Sequence, residues 1–407
     1  MKPLDDYSFI KGFNYEYDRY EHDVMERDFT YAQRLTLNSC RPFFHMSRWK
    51  EDREGFLAEI RDLVRTAWSK GISTTPILMM PYFTDDQKPY WSAPAHSNAP
   101  IPGCYDPANW AIGDAYVADV VNTLKDEPGL LFWDAYNEPG WHGFLQSVDD
   151  PAEQARRFDL VWAHVRHVIS VIRENDPVNA IGVGHVRVED NELSGTAALA
   201  DIIVYHDYLQ SSRLVEESCR KAVEMGRKYG KPVINNETGC ICRANPYELE
   251  IRLCNKYSIG YYLFELMIPA ETNQWSRVHG IVYPDGTVRD PSIVAAIQGF
   301  FRNRSDSAIL PDLNQEHEVD HTLAIVKERL ELSARTDREH QEATADDLLD
   351  AAERCANLLE AGEMVPMYYP PTRRIEEMRR DPHKDLMKIR NFTYELARQL
   401  QAKGLVL

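Results

Sequence analysis

The chain has 407 residues, 43% hydrophobic, 11% aromatic and 27% charged, proportions that exclude a peptide-sized binding module or a disordered segment and suit a globular protein with a sizeable core. Its 64 acidic against 46 basic residues leave a formal net charge of −18. That field repels phosphate backbones and anionic lipid, so no nucleic acid and no membrane is expected as a partner.

From Ser8 to about Asn303 short apolar runs alternate with amphipathic stretches, the pattern of repeated βα units. Eight runs predict strands at Phe9–Tyr15, Ser39–His45, Thr74–Tyr82, Leu130–Asn137, Ala180–Gly184, Ile202–Tyr208, Pro232–Glu237 and Gly260–Leu266. Helices are expected between them at Arg53–Ser69, Ala111–Lys125, Glu153–Glu174, Arg213–Tyr229 and Tyr247–Tyr257. Lys70-Gly71 and Tyr229-Gly230 supply stops before the next strand. Eight evenly spaced strands with helical crossovers predict an α/β fold of the TIM (β/α)8 barrel type over residues 1–303. No glycine-rich dinucleotide fingerprint follows the first strand, which argues against a doubly wound sheet.

Past Arg304 strand-like runs disappear. Val319–Leu332, Thr344–Ala361 and Leu386–Lys403 carry apolar residues at three- and four-residue spacing, as in Leu348, Ala352, Cys355 and Leu359, and predict a C-terminal helical extension over 304–407. An extended aromatic connector is expected at Met364–Arg374. The extension reads as a cap on the barrel or as a homo-oligomer contact through the C-terminal helices. No run of apolar residues is long enough to span a bilayer, and the first twenty residues lack the pattern of a secretory signal. The seven cysteines, Cys40, Cys104, Cys219, Cys240, Cys242, Cys254 and Cys355, are odd in number and scattered, the usage of a reducing compartment. A cytoplasmic protein is therefore expected.

Barrel enzymes carry their working groups at the carboxyl ends of strands. The fourth run ends in Asn137-Glu138-Pro139, the seventh in Asn235-Asn236-Glu237, and the sixth in His206-Asp207-Tyr208. Glutamates on strands four and seven can face each other across the barrel axis. A carboxylate pair about 5 Å apart is what double displacement at an anomeric carbon requires: one to attack, one to protonate the leaving oxygen and then deprotonate water.

These strand ends resemble the signatures of retaining glycoside hydrolases of clan A, the group containing glycoside hydrolase family 5 and the family 2 β-glycosidases. Asn137-Glu138-Pro139 matches the acid/base motif, Glu237 the nucleophile, Arg41 the strand-two arginine, and His206 with Tyr208 the strand-six His-x-Tyr element. The resemblance runs from Phe9 to Asn303 and implies a retaining O-glycosidase cleaving β-linkages in small glycosides or oligosaccharides. It assigns Glu138 as acid/base and Glu237 as nucleophile. Asn137 would donate to the sugar 2-hydroxyl, Arg41 would hold Glu237 charged, Tyr208 would hydrogen-bond Glu237, and His206 would orient its neighbours. A non-catalytic carbohydrate-binding barrel and a transglycosylase using the same glycosyl-enzyme are the alternatives.

Two departures stand out. Phe264 occupies the strand-eight place of the clan's tryptophan, with Glu265 beside it, and Tyr82 stands nearest the position of the family 5 strand-three histidine. Aromatic sugar platforms are expected in the βα loops at Tyr82, Phe83, Tyr90, Trp91, Trp141, His142 and Trp275, and the proline-rich stretch Thr84–Tyr105 is expected to shape the cleft. Asp134 and Asp207 read as binding backbone or a neighbouring strand. Cys240-x-Cys242 has no second ligand pair, and neither metal nor cofactor is expected.

Overall fold

A computed structural model of the chain describes residues 3–17, 19–80, 105–141, 143–146, 150–209, 211–241, 246–268, 278–301, 322–331, 341–361 and 370–401. Two compact units emerge, Met1–Leu209 with Leu214–Phe301, and Gln210–Arg213 with Arg302–Leu407. The first holds eight strands: β1 Lys11–Tyr15, β2 Ser39–Pro42, β3 Ser73–Thr74, β4 Trp133–Asn137, β5 Ile181–Gly184, β6 Ile203–Asp207, β7 Val233–Thr238 and β8 Gly260–Leu263.

Every strand pair is parallel, in the orders β3-β2-β1-β8-β7-β6 and β4-β5. Single bridges between Thr74 and Leu130 and between Ile77 and Asp134 join β3 to β4. At the other junction the His206 amide donates to the His185 carbonyl at 2.7 Å and the Asp201 amide to that of Ile181 at 2.8 Å. Each strand thus lies beside its neighbours in sequence and β8 returns to β1, the ring of a (β/α)8 barrel.

Helices Arg53–Ser69, Trp110–Leu124, Pro151–Asn175, Ser212–Tyr229 and Pro246–Tyr257 lie within two residues of the expected ones. A further helix, His22–Arg34, buries Met25, Asp28, Phe29 and Ala32. Its spacing is helical, but an aspartate on the core face interrupts the apolar stripe. Asp28 is buried because the Tyr15 and Tyr17 hydroxyls donate to it, each at 3.0 Å. β3 is far shorter than the expected Thr74–Tyr82, since Pro76 has no amide hydrogen to continue a ladder.

Buried side chains occupy the barrel floor. Tyr7, Ile10, Phe132, Ile202, Val204, Ile234 and Tyr262 form one buried cluster. Tyr262 crosses the interior to exchange hydrogen bonds of 2.8 Å with Ser39 and Thr75. A Cβ at Gly12 would lie 2.3 Å from that ring, so only glycine fits on β1 there.

In the second unit, helices Gln341–Ala361, Pro371–Arg380 and Leu386–Leu400 bury Leu348, Leu349, Ala352, Cys355, Leu359, Ile375, Ile389 and Leu396 among themselves. The extended connector expected at Met364–Arg374 is corrected at its end. Pro371 begins a helix, which its fixed φ and missing amide hydrogen suit at a first helical position; 362–369 lie outside the described residues. Among the described residues no helix is long and apolar enough to cross a membrane.

Candidate active site

Two irregularities in the ladder aim the site. Between Asp134 and Asn137 the β4–β5 register slips. On β7, Tyr205 pairs with Asn235 and His206 with Glu237, leaving Asn236 as an extra residue. Strict alternation would send Asn236 and Glu237 to opposite faces. The bulge turns both inward, a device common beside active sites.

Arg41 on β2 organises what these strands deliver. It is 0% exposed, and its Nε donates to Asp134 Oδ2 at 2.8 Å, Nη1 to Asn14 Oδ1 and Glu237 Oε2 at 2.7 Å each, and Nη2 to Asn137 Oδ1 at 2.6 Å. Burial works against its charge, but the carboxylates of Asp134 and Glu237 outweigh it and raise its pKa. Asp134 also accepts from the Gly184 amide at 2.9 Å and Asn236 Nδ2 at 2.8 Å. A Cβ at Gly184 would come within 2.8 Å of both Arg41 Nη2 and His206 Nε2, so glycine is required at the end of β5.

The two glutamates sit in unequal surroundings. Glu237 receives Arg41 and, at 3.2 Å, the Tyr208 hydroxyl. Burial raises its pKa, Glu138 adds to the rise, and His206 and Arg41 hold it back. Among the described residues the Glu138 carboxyl has one hydrogen bond, to His206 Nδ1 at 2.8 Å from Oε1. Burial lifts it from 4.5 to about 7, and the distant Arg41 charge only partly opposes that. Its backbone is left-handed, φ +46°, a conformation costing a non-glycine residue about 1–3 kcal/mol. Two hydrogen bonds hold it there: the Glu138 amide to the Gly184 carbonyl at 2.7 Å, and the Trp141 amide to the Glu138 carbonyl at 3.0 Å.

His206 lies between the pair, with Nδ1 3.7 Å from Glu237 Oε2. Burial pulls its pKa down from 6.5 to about 4, so the ring is neutral near neutral pH. Glu138, His206 and Glu237 each offer one ligand atom within 4.8 Å of the others, a set able to hold a cation; Arg41 already supplies positive charge at Glu237.

One wall is aromatic. Phe264 packs edge-on to Phe43 at 6.4 Å and His279 at 5.1 Å, and His279 edge-on to Tyr208 at 5.4 Å. Glu265 follows Phe264 across a cis peptide bond. Burial, then the charges of Glu16 and Glu237, raise its pKa to about 8 against the opposing pull of Arg289.

The structure therefore brings together Arg41, Asn137, Glu138, His206, Tyr208 and Glu237, with Phe264 alongside. Trp141 follows Glu138 by three residues and is 51% exposed. Tyr82, Phe83, Tyr90, Trp91, His142 and Trp275 lie outside the described residues, as do Thr84–Cys104 and Cys242. Asp207 caps its own turn through the Leu209 amide at 3.1 Å. Sequence reasoning missed Asn14, Gly184 and Asn236. Asn14 carried a signal, a polar residue near the carboxyl end of an apolar strand; the other two become visible only once bulge and arginine are placed.

No protein-family model matches the sequence, and no curated protein sequence matches it. Among solved structures the first unit resembles the endo-1,4-β-mannanase of Rhizomucor miehei, with TM-score 0.53, 17% identity, and 74% of this chain and 97% of that one covered. The endo-1,4-β-D-mannanase of Thermotoga petrophila gives TM-score 0.54 at 15% identity over 72% and 99%. The GH5_18 protein of Streptomyces cattleya, solved with GlcNAc, gives 0.52 at 14% over 70% and 77%. The likeness is one of fold: this barrel has the architecture of these glycoside hydrolases.

Proposed function

We propose that the chain is a retaining β-glycosidase, with Glu237 as nucleophile and Glu138 as acid/base. The observation that carries this is the carboxylate pair at the barrel mouth: one oxygen of each lies within 4.8 Å of the other. Retaining enzymes hold the pair about 5–5.5 Å apart and inverting ones about 6.5–9.5 Å, leaving room for a water. The roles follow from the environments. Glu237 is bonded by Arg41 and Tyr208, which favour its anion; Glu138 is desolvated and, among the described residues, its carboxyl is bonded by the neutral His206 alone, which favours its acid form.

In the first step Glu237 attacks the anomeric carbon while Glu138 gives its proton to the departing oxygen. The glycosyl ester on Glu237 lacks the negative charge of the free carboxylate, so Glu138 stays as the carboxylate left by the first step and takes a proton from the water that cleaves the ester. Asn137, oriented by Arg41, is placed to donate Nδ2 to the sugar 2-hydroxyl. Phe43 and Phe264 supply an apolar wall for a sugar face. The small platform of Phe264 and the buried thiols Cys40, Cys219, Cys254 and Cys355, in no disulfide among the described residues, favour a small glycoside handled in a reducing compartment.

The test is a panel of nitrophenyl β-glucoside, β-galactoside, β-mannoside and β-xyloside, run with the wild type and Glu237→Gln. Turnover of at least one, lost by about 10³-fold or more in the variant, supports the reading. Binding of a sugar with no turnover and no change in the variant makes the barrel a binder.

A further inference from the structure

We infer that Asp134 is a positioning residue, which sets how much of the Arg41 charge falls on Glu237 and so balances the two halves of the catalytic cycle. The inference rests on the glycosidase reading above and extends it to a carboxylate that is 0% exposed.

Asp134 lies on β4 and Arg41 on β2, both wholly buried. Arg41 Nε donates to Asp134 Oδ2 at 2.8 Å, and Arg41 Nη1 to Glu237 Oε2 at 2.7 Å. One cation thus meets two carboxylates at nearly equal range. Asp134 has no other ion pair among the described residues. Its remaining donors are neutral: Asn236 Nδ2 on Oδ2 at 2.8 Å and the Gly184 amide on Oδ1 at 2.9 Å. The guanidinium is a rigid plane, so the bond at Nε also fixes the line along which Nη1 reaches Glu237 and Nη2 reaches Asn137. Three donors converge on Asp134, and a carboxylate accepts them all. An amide in its place has one oxygen, and its nitrogen meets a donor whichever way it is turned.

A carboxylate held by a whole positive charge is a slow nucleophile and a ready leaving group. In the first half of the cycle Glu237 bonds to the anomeric carbon, and the aglycone departs with the proton of Glu138. In the second, water bonds to that carbon, Glu237 leaves as a carboxylate, and the water's proton passes to Glu138. By drawing part of the Arg41 charge to itself, Asp134 speeds the first half and slows the second. A merely structural Asp134 has no such pair of signs. Its loss would loosen Arg41, Asn137 and Glu237 together and lower both rates.

The two rates separate with 2-deoxy-2-fluoro glycosyl fluorides of the four sugars in the panel, followed at neutral pH by the mass of the intact chain. Growth of the adduct reports the first half, in which Glu237 displaces fluoride; its decay after removal of the reagent reports the second. These reagents have no 2-hydroxyl, so the Asn137 contact drops out of the comparison. We expect Asp134→Asn to label more slowly and to lose its adduct faster, each by about threefold or more. Asn236→Ala takes a neutral donor from Asp134, which then draws harder on Arg41, and should move both rates the opposite way. Rates that fall together, or do not change, in a folded variant overturn the proposal. Should Asp134→Asn fail to fold, the signs in Asn236→Ala decide. A wild type that forms no adduct and turns over no glycoside of the panel overturns the glycosidase reading, and the proposal with it; a wild type that labels while the variants do not respond overturns the proposal alone.

Discussion

Arg41 Nη1 stands 2.7 Å from Glu237 Oε2, and the same guanidinium bonds the Asp134 carboxylate from its other edge. The arginine is thus the shared counter-ion of Glu237, the proposed nucleophile, and of the aspartate that anchors β4, β5 and β7. Removing it strands two buried carboxylates. Arg41→Met should lower stability by about 3–5 kcal/mol, measured by denaturant unfolding. Arg41→Lys keeps a charge but loses the planar fork; it should fold, with kcat/KM reduced by about 10²-fold or more. Near wild-type kinetics in the lysine variant would count against an orienting role for the fork.

Leaving-group dependence isolates Glu138. Glu138→Ala should cleave aryl glycosides with very acidic leaving groups to the glycosyl-enzyme at close to the wild-type rate. Alkyl glycosides, which need a proton, should fall by about 10²–10⁴-fold. For the wild type, kcat/KM with a poor leaving group should decline as pH rises through about 7, the value to which burial lifts Glu138. A profile flat through the alkaline range would remove Glu138 from the acid's role.

The same shift has a stability consequence. Glu138 is raised from 4.5 to about 7 on folding, so the native state binds the proton more tightly than the unfolded chain. Its favourable contribution is complete below the lower value and is lost as pH rises to the upper one. The difference is worth up to about 3 kcal/mol. Glu138→Gln, which stays neutral, should therefore exceed the wild type in Tm at alkaline pH and match it in mild acid. Equal pH dependence of Tm in the two proteins would refute a buried, proton-holding Glu138.

Gly184→Ala tests how tightly the centre is fitted. Its Cβ would meet Arg41 Nη2 and His206 Nε2 at 2.8 Å each, forcing one of them away. A stability loss of about 1–3 kcal/mol should accompany a larger fractional loss of kcat than of substrate affinity, measured by kcat and KM on the best glycoside of the panel. Unchanged kcat would show that His206 moves freely.

Glu265 offers a subtler comparison. With its pKa near 8 the wild-type carboxyl is neutral at neutral pH, where glutamine is close to its isostere. The pH profiles of Glu265→Gln and the wild type should overlay up to neutrality and part above it, as the wild type gains a third negative charge near Glu237. Divergence already in acid would show that Glu265 is ionised at rest.

Much of this site was legible in the linear chain. Apolar runs ending abruptly in Glu138, Glu237 and His206-x-Tyr208 marked strand ends, because strands buried along their length turn polar only where they leave the core. The expected helices fell close to the observed ones for the same reason, as each carried an apolar stripe with a clear stop. What failed to show was whatever depends on departures from regular spacing. Asn236 looks like a residue on the far face of β7 until the bulge is known. Asp28 breaks the stripe of His22–Arg34 because its tyrosine partners lie on another element. Pro76 ends β3 early, although its neighbours are apolar enough for a longer strand.

Tyr262, locked by Ser39 and Thr75 across the space that Gly12 leaves open, closes the barrel beneath the carboxylates. On the glycosidase reading, with the floor closed, an aglycone freed by Glu138 would leave on the side from which water arrives, so its exit would gate the second half of the cycle. The released sugar would compete with fresh substrate on that same side.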